Sequence, residues 1–158
     1  MLIEKIKASY MSKAQLKLPD VEATAMCVGC GHCCRALPGI VDPDDVEKLE
    51  DLLNTGRYAI DYWEADGTMD QTYFIRPAIK GSEGRLVHPA WGGECTFLTD
   101  TGCELRLEDR PANCRQLVPK TVRKDYCTDV MTKQARVFRW AEYQGVIEDI
   151  IRRKRNDH

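Results

Sequence analysis

No stretch of this sequence is long and apolar enough to span a membrane or to form the core of a secretory signal. The opening M-L-I-E-K-I-K-A-S-Y is interrupted by Glu4, Lys5 and Lys7. The expectation is a cytoplasmic protein with no membrane partner. A surplus of positive charge is also missing: 23 Lys and Arg face 25 Asp and Glu, for a net charge of −2. That balance argues against a dedicated nucleic-acid binder. The one basic run, Arg152-Arg153-Lys154-Arg155, reads as a solvated helix end whose cations meet the negative pole of the helix dipole. Internal repeats and low-complexity segments are absent. So are a Gly-rich phosphate loop, a nucleophile elbow, an H-E-x-x-H pair and a C-x-x-x-C-x-x-C spacing. These gaps remove the commonest catalytic signatures and leave open whether the chain is an enzyme.

Aromatic residues are sparse, at 8%, and the three tryptophans, Trp63, Trp91 and Trp140, are spread out. A chain of 158 residues with 43% hydrophobic and 30% charged residues folds as one domain with a modest core. Such a domain gains from a metal that closes its loops, because binding energy then becomes folding energy.

Cysteine is what the sequence has in abundance. Cys27, Cys30, Cys33 and Cys34 crowd into C-V-G-C-G-H-C-C, and Cys95, Cys103, Cys114 and Cys127 follow singly. A buried structural thiol needs no near neighbours of its own kind, whereas repeated two-residue spacings suit sulfurs that converge on metal. In a reducing compartment such a framework favours metal over disulfides.

The pattern predicts an α+β fold: a small irregular single domain over 1–158, with helices at both ends around short β-hairpins, stapled by cysteine-ligated metal. Its core spans 27–127. An amphipathic helix over Leu2–Leu18 is stopped by Pro19. A second helix has Asp42 as cap, Pro43 at its first position, Asp44 and Asp45 at the positive pole, and Gly56 as a left-handed stop. Val46, Leu49, Leu52 and Leu53 form its apolar stripe. Strand composition follows at Tyr58–Tyr62 and Thr72–Ile75, with Asp66-Gly67 as the turn. A second extended pair is expected across Arg76–His88, turning at Gly81–Gly84. A third joins Cys95–Leu98 to Cys103–Leu105 through Thr99–Gly102. A long helix from about Thr132 to Arg155 aligns Val137, Trp140, Ala141, Ile147 and Ile151, with Gly145 as its weak point.

Cys27-x-x-Cys30-Gly31 has the form of a metal knuckle, in which the glycine lets backbone N–H groups approach sulfur. Adding Cys33 matches the first three ligands of a bacterial ferredoxin run. The match then ends, since Cys34 follows without the three-residue gap and Arg35 stands where proline belongs. Adjacent side chains point in different directions in most backbone conformations, which implies a division of labour. Cys27, Cys30 and Cys33 would serve one centre, completed by a distant cysteine, and Cys34 would join the remaining three. One centre with spare thiols stays open as the alternative. His32 reads as a loop residue, His88 as structural and His158 as terminal. Arg110 and Arg115 flank Cys114, where they offset the charge of a thiolate centre, or Arg110 instead caps a carbonyl or pairs with Glu108 or Asp109 on the surface.

Four blocks together resemble a bacterial cysteine-cluster family described as zinc- or iron-chelating. They are Cys27-x-x-Cys30-Gly31-x-Cys33-Cys34, Gly93-x-Cys95-x-Phe97-Leu98, Gly102-Cys103 and Arg110-Pro111-x-x-Cys114-Arg115. The resemblance covers Cys27 to Arg115, and Cys127 lies beyond it. It implies chelation by the matching cysteines, with an iron–sulfur cluster or zinc in one or two centres. A similar cysteine signature occurs in the much larger flagellin lysine N-methylase proteins. Three functions follow: a metal or cluster protein in redox transfer, metal handling or enzyme support; a zinc-stapled module that binds a protein partner; and a protein-modifying, methylase-like enzyme.

Overall fold

The computed structural model describes residues 32–64, 71–115, 117–119, 127–129 and 131–157. The helix expected over Leu2–Leu18 and the turn at Asp66-Gly67 lie outside them. The described residues form a mixed α+β fold built on one hairpin. β1 (Tyr58–Glu64) pairs antiparallel with β2 (Gln71–Pro77), in the register Ile60↔Ile75 and Tyr62↔Tyr73. Within β1, Ala59, Ile60 and Asp61 are all buried in succession. Coverage of both hairpin edges explains this. Ile60 exchanges backbone hydrogen bonds with Leu86 and His88 on one side, and Ile75 accepts from the Val41 N–H at 2.9 Å on the other.

Against this hairpin pack α4 (Lys133–Phe138) and α5 (Gln144–Asn156). Among the described residues, the core they enclose contains Ile40, Val41, Leu53, Ile60, Phe74, Ile75, Val137, Phe138, Trp140, Ile147, Ile150 and Ile151. Thr132 caps α4 through its hydroxyl, which accepts the Ala135 N–H at 3.1 Å. The single long helix expected from Thr132 to Arg155 is therefore corrected to two, joined by a short 3₁₀ turn at Ala141–Tyr143. Three long-range anchors crowd the break. Arg139 grips Asp42, the Trp140 indole N–H donates to the Val41 carbonyl at 2.8 Å, and Gln144 bonds the backbone of Tyr73. Gly145 falls in the first turn of α5, where its helix cost is small.

The helix expected after Asp42 is also broken in two. Asp42 caps a 3₁₀ turn at Pro43–Asp45 by accepting the Asp44 N–H at 2.9 Å, and Pro43 takes the first position. Val46 and Lys48 are extended, and α2 (Leu49–Asn54) begins afresh. The first turn is tied to Arg139 and Arg115 by ion pairs, while α2 follows the core through Leu53. Gly56 closes α2 in the left-handed region, at φ 74°.

The extended pair expected across Arg76–His88 is a correction as well. Arg76 and Pro77 finish β2, tight turns occupy 80–84, and Val87 forms a parallel bridge with Ile60. The third pair is present as β3 (Leu98–Thr99) and β4 (Gly102–Cys103). A last ladder joins β5 (Leu117–Pro119) to β6 (Cys127–Asp129).

Candidate metal centre

The segment 93–95 runs beside α1 (His32–Ala36), and Cys114 approaches Gly39 just after it. α1 carries Cys33 and Cys34. Its carbonyls reach the second cysteine block directly: the Cys95 N–H donates to Cys34 at 2.8 Å and the Gly93 N–H to Ala36 at 2.9 Å. These two bonds lay the segment 93–95 antiparallel along α1.

The approach explains the glycines before Cys95. A Cβ on Gly92 would stand 3.2 Å from the Ala36 carbonyl oxygen. Gly93 holds φ 145°, and a Cβ there would meet Ile79 at 2.6 Å, so a side chain is barred twice over. Further along, Lys80 and Thr96 donate to Glu94 and Ala78, which pairs the cysteine segment with the end of the large hairpin.

Cys95 is buried, and burial pushes its thiol up, with Cys103 adding to the rise. Three features oppose this: the Phe97 backbone N–H donates to the Cys95 sulfur, and the cations Arg57 and Lys80 lie near. Arg57 is fixed where it stands, stacked over Phe97 at 4.1 Å and bonded to the Thr96 carbonyl and Glu104. An N–H donor on sulfur and nearby cations stabilise a thiolate, the form that binds metal. Cys103 faces Leu98 across the small hairpin, whose turn is closed by the Thr99 hydroxyl donating to Gly102 at 2.7 Å. Tyr58 packs on Phe97 with ring centroids 5.5 Å apart, and burial followed by Cys95 pushes its phenol up to about 12.

Cys114 sits in the short helix α3 (Ala112–Arg115), held against the chain just after α1. Asn113 accepts the Ile40 N–H at 2.8 Å. A Cβ on Gly39 would lie 2.2 Å from the Asn113 oxygen and 2.5 Å from the Cys114 sulfur. Gly39 and Asn113 were not singled out from the sequence; Pro38-Gly39 and the interior of R-P-A-N-C-R were the available signals. Arg110 caps a carbonyl, the second of its expected roles. Arg110 donates to the Leu105 carbonyl at 3.0 Å, and Arg115 pairs with Asp45.

Cys34, Cys95, Cys103 and Cys114 are free of disulfides. Among the described residues, no three Cys, His, Asp or Glu side chains group as a metal site. Cys27 and Cys30 lie outside the described residues, and of Cys33 and Cys127 only the backbone, in α1 and β6, is described. The donor set nevertheless suits the ions expected: unbridged sulfurs, one of them hydrogen-bonded by backbone N–H, are soft ligands for zinc or iron. His88 stands apart from the cysteines, on the loop after Val87, with its backbone N–H bonded to Ile60. No helix among the described residues is long and apolar enough to cross a membrane.

The family model "CxxCxxCC: Putative zinc- or iron-chelating domain" matches residues 26–134, a span that takes in all eight cysteines. No curated protein and no solved structure matches the chain. With two thirds of its length matched, the chain belongs to the CxxCxxCC family that this model describes.

Proposed function

We propose that this protein holds zinc or an iron–sulfur cluster through Cys27, Cys30, Cys33, Cys34, Cys95, Cys103, Cys114 and Cys127, and serves redox transfer, metal handling or the support of an enzyme. The observation that carries the reading is the backbone pairing of Cys34 with Cys95, 2.8 Å from N–H to carbonyl. It joins two cysteine blocks 61 positions apart along the chain. Metal held between the two blocks would turn that contact to use as folding energy. A centre saturated with thiolate has no open position, which favours a structural or electron-transferring role over Lewis-acid chemistry.

Two centres account for the adjacent cysteines best, because successive positions of a helix face about 100° apart. Anaerobic purification with elemental analysis and an absorption spectrum tests the whole reading. Stoichiometric zinc, or iron with a broad visible band, is the expected result. A parent protein free of both metals overturns it. Cys33→Ala and Cys34→Ala are then expected to remove different amounts of metal; an identical loss from a one-metal parent rules out two centres.

A zinc-stapled interaction module is the second reading, favoured by Trp91. This side chain is fully exposed on a loop fixed at both ends, by Arg76 bonding the His88 carbonyl and by Gly93 bonding Ala36. An exposed tryptophan on a fixed loop suits a protein contact. Unchanged binding of a captured partner by Trp91→Ala removes that support.

A further inference from the structure

The basic run at the C-terminus divides in two. Arg152 and Arg153 pair with Asp149, and Arg153 also pairs with Glu50. Lys154 and Arg155 instead line a cleft of about 630 Å³ between the end of α5, the end of α2 and the segment 84–87. Its apolar surface comes from Leu53, Tyr58, Leu86 and Val87. Gly84 donates its N–H to the Gly56 carbonyl at 2.8 Å, and both glycines are left-handed, so this part of the wall is bare backbone.

Three cations, Arg85, Lys154 and Arg155, face one carboxylate, Asp157. Arg85 and Arg155 form no ion pair with any described residue, and Lys154 donates to the uncharged amide of Asn54. The helix dipole offsets about half a charge at this end of α5, which leaves the cleft positive. Such an excess complements a dianion better than a monoanion, and the guanidinium fork fits phosphate oxygens. The volume lies within the range of small-molecule sites.

We infer that this cleft binds a small organic phosphate monoester, with its phosphate on Arg85, Lys154 and Arg155 and its apolar body against Leu53, Leu86 and Val87. The inference is independent of the metal reading.

Titration of the full-length protein with phenyl phosphate, inorganic phosphate and phenol, followed by NMR shifts, tests it. Phenyl phosphate is expected to bind in the millimolar range, about tenfold tighter than either fragment alone, with shifts at Leu53, Leu86 and Val87. Arg85→Gln and Arg155→Gln should each weaken it about tenfold, as loss of a charge-assisted contact predicts. Arg106→Gln, on the 106–109 turn, should not. Both cleft arginines are exposed, so the variants are expected to keep the parent's unfolding midpoint and metal content. Equal affinity in the parent and the double variant, shifts elsewhere, or inorganic phosphate binding as tightly as phenyl phosphate overturns the proposal. A single-stranded oligonucleotide that outcompetes phenyl phosphate, with steep salt dependence, would replace the small ligand by nucleic acid.

Discussion

The side chain of Gln144 pairs with the backbone of Tyr73 as a neighbouring strand would. Its carbonyl accepts the Tyr73 N–H at 2.7 Å, and its amide donates to the Tyr73 carbonyl at 2.9 Å and to Trp140 at 2.9 Å. One buried amide therefore closes the outer edge of β2 and fixes the start of α5. Gln144→Leu fills similar volume and leaves both Tyr73 groups without a partner. The expected loss is about 3 kcal/mol, read from the urea unfolding midpoint. A loss below about 1 kcal/mol would mean that water replaces the amide at little cost.

Gly39 and Gly145 make a contrasting pair. A methyl at Gly39 collides with Asn113 and the Cys114 sulfur, whereas a methyl at Gly145 meets nothing within 4 Å. Gly39→Ala is expected to cost about 1–3 kcal/mol through overpacking and to reduce bound metal. Gly145→Ala should instead stabilise α5 slightly, by less than the roughly 0.5–1 kcal/mol of a helix-interior glycine, with metal content unchanged. Thermal melts and elemental analysis of the two variants read both signs. A Gly39→Ala protein with full metal content would detach Cys114 from the centre.

Because the main apolar cluster is built, among the described residues, from side chains other than cysteine, metal removal should act locally. Treatment with a strong chelator is expected to speed amide hydrogen exchange in α1, at 92–104 and in α3. Exchange in β1, β2, α4 and α5 should stay slow, since those elements carry the buried cluster. Uniform loss of protection throughout the chain would show that metal holds the whole fold, as the sequence alone suggested.

His88 gives the protein an acid-sensitive point. Burial, then the nearby cations Arg76 and Arg85, hold its imidazole below the usual histidine range. The unfolded chain therefore takes up a proton before the folded one, near pH 6.5. Stability is full above that pH and declines as pH falls toward the depressed folded value. In metal-free protein, His88→Gln is expected to flatten this part of the stability profile, and Arg85→Gln to reduce its slope. An unchanged profile in His88→Gln would assign the acid sensitivity to other groups.

The amino-acid sequence by itself determined the chemistry and the local punctuation. The cysteine blocks name the family, and Asp42, Pro43 and Gly56 cap, start and stop their segment as their side chains and φ preferences dictate. β1, β2 and the hairpin closed at Gly102 follow from composition and turn residues, and Val137, Trp140, Ile147 and Ile151 are buried as their spacing predicts. Only the tertiary structure decided where two helices break, why β1 is buried on both faces and which backbone meets the cysteines. The partners responsible stand far apart along the chain: Asp42 and Arg139 by 97 residues, Val41 and Trp140 by 99, Tyr73 and Gln144 by 71. Helical periodicity continues smoothly through residues 139–143, so nothing local marks a break there. The break follows from a grip on another part of the molecule, and periodicity carries no information about that. The same holds for Gly39, whose missing side chain has meaning only once Asn113 and Cys114 are folded against it.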